Sequence, residues 1–144
     1  MLENYYLCGM KQTTNNDMYK CLATYVLPEG VLEYFSLTEI TEEDPKSKAA
    51  DPLYKKELHI YLDERDNRTE DMAGSTSKGF TDESFIYDFP IRTHKTVIHI
   101  RRRRWLMPDG TSKIIDLEKH VRLTHPGTRY SNEFALFLKL ADGQ

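Results

Sequence analysis

The chain has little cysteine, little tryptophan and no long apolar run. Its 144 residues include two cysteines and one tryptophan. Cys8 and Cys21 form neither a Cys-x-x-Cys pair nor a cysteine–histidine cluster, which argues against a structural zinc site and favours two lone thiols. No apolar stretch approaches the ~18–20 residues that span a bilayer, and residues 1–25 lack the basic start and apolar stretch of a signal peptide. We therefore expect a cytoplasmic protein without a membrane segment, a metal or a cofactor.

Charge is divided unevenly along the chain, although the net charge is only −3. Residues 1–72 carry 8 basic and 15 acidic side chains, whereas residues 73–144 carry 12 basic and 8 acidic ones. Within 90–130 there are 10 basic residues and 3 acidic ones. A chain with this division can be nearly neutral as a whole and still present a polyanion-binding face.

Periodicity and turn residues predict one α+β domain over 17–144, preceded by a flexible segment at 1–16. Helices are predicted over 18–26, over 28–35 and after Ser131, which is a good N-cap. Strands are predicted over 37–42, 56–62 and 83–89, and a hairpin is predicted to join 96–107 to 111–117 through Pro108-Asp109-Gly110. These elements predict an antiparallel sheet of about four or five strands, a prominent basic hairpin and short helices near both ends.

Two further expectations concern exposure. In the first helix, Leu22, Tyr25 and Val26 have the spacing of a buried stripe. Segments 41–55 and 63–79 are rich in charged and small residues and are predicted to be exposed loops.

The run Arg101–Arg104 lies on the predicted hairpin, where successive side chains point to opposite faces. A two-residue turn places Arg103 opposite Asp116 and Arg101 opposite Glu118, whereas a three-residue turn places Arg102 opposite Asp116. In either register at least two arginines lack a local acidic partner. The run is then either a solvated, salt-bridged ribbon or a ribbon that binds phosphates, which guanidinium groups match in bidentate geometry.

Other cations flank the run, and together they define a predicted DNA-contact set. Trp105 is amphipathic and could stack on a base, but a lone tryptophan at this position is more often part of the core. The predicted contacts are Arg92, Lys95, Arg101, Arg102, Arg103, Arg104, Trp105, Lys113, Arg122 and Arg129.

Four of the five histidines also lie in the basic segment: His94, His99, His120 and His125. Histidines beside arginines can act as general acid and base in a phosphodiester-cleaving enzyme. No carboxylate cluster for Mg²⁺ and no nucleophile constellation accompanies them in the sequence. We therefore expect a binding protein rather than an enzyme.

Five segments resemble one known family. They are LPEGVLEYF at 27–35, KGF at 78–80, DFPIR at 88–92, HIRRRRW at 99–105 and GTRYSNEFALFLK at 127–139. In this order they resemble the ISAon-type transposase N-terminal region, a short protein encoded ahead of the catalytic frame in certain bacterial insertion sequences. The resemblance covers roughly 27–140. A wider resemblance is to transposases with an N-terminal zinc ribbon, but residues 106–110 contain no cysteine, so no metal is implied.

The resemblance implies a DNA-recognition or assembly module that binds element ends and acts with a separate catalytic transposase subunit. The matched positions are Arg92, Arg101 to Arg104, Trp105, Gly127, Thr128 and Arg129. The alternative from the residues is a protein-interaction or dimerisation module with no direct DNA contact, in which the basic hairpin docks on an acidic partner such as the 1–72 half of a second copy.

Overall fold

A four-stranded mixed sheet forms the centre of the fold in the computed structural model, which describes residues 15–45 and 54–143. Its strands, in the spatial order β1-β2-β5-β4, are β1 (Phe35–Glu43), β2 (Lys56–Glu64), β5 (His94–Arg101) and β4 (Ser84–Ile91). The β1–β2 and β4–β5 pairs are antiparallel, whereas β2 and β5 are parallel.

A smaller sheet continues from β5. Its order is β3-β6-β7, with β3 (Thr76–Phe80), β6 (Arg103–Leu106) and β7 (Ser112–Lys113). Only Arg102 separates β5 from β6, so the arginine run crosses from the large sheet to the small one. The turn at 108–110 is closed by the Met107 amide, which donates to the Thr111 carbonyl at 2.8 Å, and Gly110 takes a φ of 88° there.

Three α-helices and one 3₁₀ turn complete the described residues. They are α1 (Asn15–Val26), α2 (Val31–Tyr34), the 3₁₀ turn Glu70–Met72 and α3 (Asn132–Asp142). Ser131 caps α3, because its hydroxyl accepts a hydrogen bond from the Phe134 amide. None of the described helices has the length and apolar character needed to cross a membrane.

The core lies between one face of the large sheet and the segments that cover it. Ile60 and Leu62 on β2 pack with Ile98 and Ile100 on β5. The covering residues include Leu27, Val31, Phe35, Leu117 and Val121. Phe35, Leu62 and Ile98 are almost completely buried, so this side of the sheet supplies most of the hydrophobic stabilisation.

The predicted α+β class with short helices near both ends is confirmed. The prediction of a wholly antiparallel sheet is wrong for one pair, since β2 and β5 run parallel. The chain can make this pair because residues 65–93 form a long crossover between the two strands. Segment 63–79, predicted as an exposed loop, instead contains a 3₁₀ turn, most of β3 and the buried Met72.

Two smaller expectations were also wrong. Leu22, Tyr25 and Val26 on α1 are 60%, 79% and 42% exposed, so the predicted buried stripe does not face the core. Cys21 is disulfide-bonded and not a lone thiol. The predicted flexible segment falls almost wholly outside the described residues, as does Cys8, and 46–53 of the predicted loop 41–55 also lies outside them.

Candidate site on the polar face of the sheet

The face of the large sheet opposite the core carries most of its polar side chains. Leu58, Ile60 and Leu62 of β2 point to the core, so the intervening residues point away from it. The same alternation holds on β5. We call this side the polar face, defined by Glu57, His59, Tyr61, Asp63, Lys95, Val97, His99 and Arg101.

The parallel register places acidic and basic strands side by side on the polar face. Glu57 is paired with Lys95, and Asp63 with Arg101. Arg101 Nε and Nη2 donate to the two carboxylate oxygens of Asp63 at 2.7 and 2.5 Å. The uneven charge of the two halves of the chain is therefore partly neutralised within the molecule.

Other ion pairs also join the acidic half to the basic half. His94 Nε2 lies 2.7 Å from Glu42 Oε2, and Lys113 Nζ lies 3.9 Å from Asp71 Oδ2. Lys113, predicted to contact DNA, thus has an acidic neighbour at the limit of an ion pair. Exposed pairs of this kind contribute little to stability, so they leave the side chains available to a stronger partner.

Each arginine of the run has a different environment. Arg102 Nε donates to Glu64 Oε1, and its Nη2 donates to the Ile115 carbonyl. Arg103 Nε donates to the Glu64 carbonyl oxygen at 2.7 Å. Arg104 Nε is buried and has no hydrogen-bond partner among the residues that the structure describes.

The three-residue turn is the register that forms, because Trp105 pairs with Lys113 and Met107 bonds to Thr111. The ladder ends at Lys113, however, so neither Asp116 nor Glu118 faces an arginine across it. The predicted cross-strand ion pairs are therefore wrong, and the acidic partners come from β2 instead. That two arginines lack a local acidic partner is confirmed for Arg103 and Arg104 within the described part of the chain.

Three arginines lie against two aromatic rings of the small sheet. Arg68 lies 4.3 Å from the centre of the Trp105 ring, and Arg103 lies 5.9 Å from the same ring. Phe80 follows, with Arg103 at 4.8 Å and Arg101 at 4.5 Å from its centre. Trp105 is 2% exposed, which confirms its place in the core. Cation–π attraction to the ring faces favours these guanidinium positions.

A second set of cations lies on rings of β4. Lys95 Nζ is 4.4 Å from the centre of the Tyr87 ring, and the Arg129 guanidinium is 4.6 Å from that of Phe85. Phe85 is paired with His99, and Tyr87 with Val97, so both rings are on the polar face. Lys95 and Arg101 on β5 and Arg129, whose guanidinium lies over a ring of β4, consequently lie on the polar face. We call these three residues and Arg103 the cation stripe.

The remaining predicted contacts lie elsewhere. Arg92 is exposed in the turn between β4 and β5, where its φ is 56°. Arg122 is exposed on the segment that follows Val121. Six of the nine predicted cations have no acidic partner within 4.0 Å in 15–45 and 54–143: Arg92, Lys95, Arg103, Arg104, Arg122 and Arg129.

The polar face also contains a histidine–carboxylate cluster. His59 Nδ1 lies 2.6 Å from His99 Nε2, and His59 Nε2 lies 3.0 Å from Glu57 Oε1 and 3.2 Å from Glu43 Oε2. His99 Nδ1 lies 3.2 Å from Glu83 Oε1, and Tyr61 stacks on His99 with ring centres 4.4 Å apart. A cavity of about 270 Å³ adjoins His99 and Arg101.

The four histidines of the basic segment do not form one site. His94 faces Glu42, and His120 stacks on Tyr34 with ring centres 5.5 Å apart. His125 lies 2.9 Å from Lys139 Nζ, while only His99 belongs to the cluster. Sequence reasoning missed His59 and its carboxylates. Alternation on β2 places Glu57 and His59 on one face, but their proximity to His99 depends on the parallel register.

Comparison of the chain with protein-family models, with curated proteins and with solved structures gives no match.

Proposed function

We propose that this chain is a DNA-binding module of an insertion-sequence transposase, which contacts phosphates through the cation stripe and acts with a separate catalytic subunit. Two observations support it. The first is the resemblance of segments between 27 and 140 to ISAon-type transposase N-terminal regions. The second, which carries the proposal, is a set of cations that lie against aromatic rings on the polar face and on the adjoining small sheet.

The dimensions of the stripe fit a nucleic-acid backbone. Lys95 and Arg101 are six residues apart on one strand, which corresponds to about 20 Å at ~3.3 Å per residue. Phosphates along one DNA strand are about 3.4 Å apart in projection on the helix axis, so this length spans several of them. Contacts of this kind fix the register of the protein on the duplex and carry no sequence information themselves.

The available donors further favour Lys95, Arg103 and Arg129 as phosphate contacts. Each has no acidic partner within 4.0 Å in the described part of the chain, and each lies on or near an aromatic ring. Arg102 is a poor candidate, because its guanidinium compensates the fully buried Glu64 carboxylate. The sequence left open which two arginines of the run lack an acidic partner; in the described part of the chain, Arg103 and Arg104 have none within 4.0 Å.

The test is binding of the full chain to a fluorescently labelled mixed-sequence duplex, measured by anisotropy over a range of salt concentrations. Lys95→Glu and Arg129→Glu should each weaken binding and reduce the slope of log affinity against log salt by about one for each phosphate that is no longer neutralised. Lys20→Glu on α1 is the matched control and should bind like the wild type. Equal affinity for all four proteins would refute the proposal.

Catalysis belongs to the separate subunit in this proposal. Three of the histidines considered for phosphodiester cleavage have separate neighbours, since His94 faces Glu42, His120 stacks on Tyr34 and His125 lies beside Lys139. Incubation of the chain with labelled DNA and Mg²⁺ should leave the DNA intact. Cleavage that survives purification to homogeneity would contradict this part.

A second candidate function is dimerisation, favoured by an apolar groove between α1 and β1. The groove has a volume of about 370 Å³ and includes Tyr19, Leu22, Leu37 and Ile40. Ile40 is 54% exposed on β1, which is an edge strand of the described sheet. Two identical edge strands can pair antiparallel about a two-fold axis, so a second copy of the chain is the fitting occupant.

Mass measurement in solution separates this candidate from the first. A dimer that Ile40→Lys dissociates, and that Leu136→Lys on α3 does not, would support dimerisation through β1. Leu136 is a matched control because it is also an exposed apolar residue, at 45%. A monomeric wild type would exclude this candidate without affecting the DNA-binding proposal.

A further inference from the structure

The histidine–carboxylate cluster has the donor set of a metal site. Glu43 on β1 and Glu57 on β2 are directly opposite each other, and His59 is two residues further along β2 on the same face. One donor atom from each lies within 4.8 Å of the others. Like charges placed directly opposite each other on neighbouring strands destabilise a sheet, so a cation between the two carboxylates would stabilise this pair.

No described lysine or arginine supplies that cation. Lys56 Nζ pairs with Asp44 at 2.5 Å, and Lys95 Nζ lies over the Tyr87 ring. The Glu57 side chain is only 13% exposed, and His59 is its one hydrogen-bond partner in the described part of the chain. A carboxylate buried to this extent is costly unless a positive charge lies against it.

The contacts of the two imidazoles are compatible with an ion at the same place. His59 Nε2 lies 3.0 Å from Glu57 Oε1 and 3.2 Å from Glu43 Oε2, whereas His59 Nδ1 lies 2.6 Å from His99 Nε2. An ion bound by Nε2 would leave Nδ1 to an outer hydrogen-bond partner, as in most histidine-ligated metal sites. His99 Nδ1 lies in turn 3.2 Å from Glu83 Oε1.

We propose that Glu43, Glu57 and His59 bind one divalent transition-metal ion, with His99 and Glu83 as the outer hydrogen-bonding relay. One imidazole and two carboxylates are ligands that Zn²⁺ accepts, at about 2.0–2.2 Å. Tetrahedral donors at that distance are about 3.4 Å apart, close to the 3.0 and 3.2 Å between Nε2 and the carboxylate oxygens. The ion would join the end of β1 to the start of β2.

The experiment is calorimetric titration of chelator-treated full chain with Zn²⁺ alone. We expect one ion per chain and a higher thermal midpoint in its presence. Glu43→Gln should weaken binding at least about tenfold, and His99→Gln, which removes the outer partner, about 10–100-fold. Glu42→Gln is the matched control. Glu42 is adjacent to Glu43 on β1, but it lies on the opposite face of the sheet and pairs with His94.

Folding of the variants does not limit the test. Glu43 is 46% exposed, so its substitution leaves the core intact even if a change at the buried His59 does not. Co²⁺ gives a second readout, because its visible absorption reports coordination by the protein and should be lost in Glu43→Gln. Failure of the wild type to bind Zn²⁺ overturns the proposal. Equal binding by wild type, Glu43→Gln and Glu42→Gln also overturns it.

Discussion

Arg102 donates a hydrogen bond from Nε to Oε1 of Glu64, a residue whose side chain is fully buried at the end of β2. The same guanidinium donates to the Ile115 carbonyl, and Glu64 Oε2 has no described partner. Arg103 Nε donates to the Glu64 carbonyl oxygen. Both Arg102 and Arg103 therefore donate hydrogen bonds to Glu64 at the junction of the two sheets, where β5 is followed by β6.

Arg102→Met should be strongly destabilising, because it leaves the Glu64 carboxylate buried without a cation. Breaking a buried pair in this way costs about 3–5 kcal/mol, and the 27% exposure of Arg102 favours the lower end. Denaturant unfolding measures the loss. The double variant Glu64→Met/Arg102→Met should recover most of it, since both charges are then absent.

Arg101→Met is the control for that prediction. Its ion pair with Asp63 is partly exposed, with 46% of the Arg101 side chain and 18% of the Asp63 side chain exposed, so the expected loss of stability is much smaller than for Arg102→Met. A loss for Arg102→Met no larger than that for Arg101→Met would contradict the assigned role of Glu64. Loss of DNA binding in an Arg102 variant would for this reason say nothing about DNA contact.

Phe80→Leu removes an aromatic ring that contacts the cation stripe and leaves the charge of the stripe unchanged. Phe80 lies beneath both Arg101 and Arg103, and leucine keeps an apolar side chain there without a ring face. A cation–π contact at an exposed site is worth about 0.5–1 kcal/mol, so DNA affinity should fall about two- to fivefold. The slope against salt should stay the same, because the variant keeps every charge. A changed slope would show that the ring does more than hold the arginines.

Local sequence patterns were sufficient to predict the elements whose determining interactions lie close together in the sequence. The alternation Leu58-His59-Ile60-Tyr61-Leu62 predicted β2, and Ser131 with the apolar residues after it predicted α3. The hairpin turn at 108–110 also formed where its turn residues predicted it. In each case the determining interaction, strand alternation, a helix cap or a turn, is encoded within about ten residues.

The site was beyond prediction because its contacts are long-range. Asp63, Glu64 and Glu57 reach the basic strand only because β2 and β5 pair in parallel, and nothing in either strand's own sequence specifies that partner. The predicted partners Asp116 and Glu118 follow from a hairpin register continued beyond Lys113, where the ladder ends. On α1, Leu22 and Tyr25 have helical spacing, but spacing does not say whether another surface covers them.

Asp88 provides a pH-dependent prediction on the core face. It is 6% exposed, it accepts a hydrogen bond from Ser131 Oγ at 2.7 Å, and burial raises the pKa of its carboxyl above the ordinary 3.8. A raised folded-state pKa means that the folded state holds the proton more tightly. Asp88 therefore lowers the free energy of unfolding increasingly as pH rises from the ordinary pKa through the raised one.

Asp88→Asn keeps the acceptor for Ser131 and should be more stable than the wild type at neutral pH. The difference should disappear as pH falls to the ordinary value, as thermal unfolding across this range will measure. Asp82→Asn, at an exposed position, should leave stability unchanged throughout, and a neutral-pH gain equal to that of Asp88→Asn would assign the effect to net charge instead of burial.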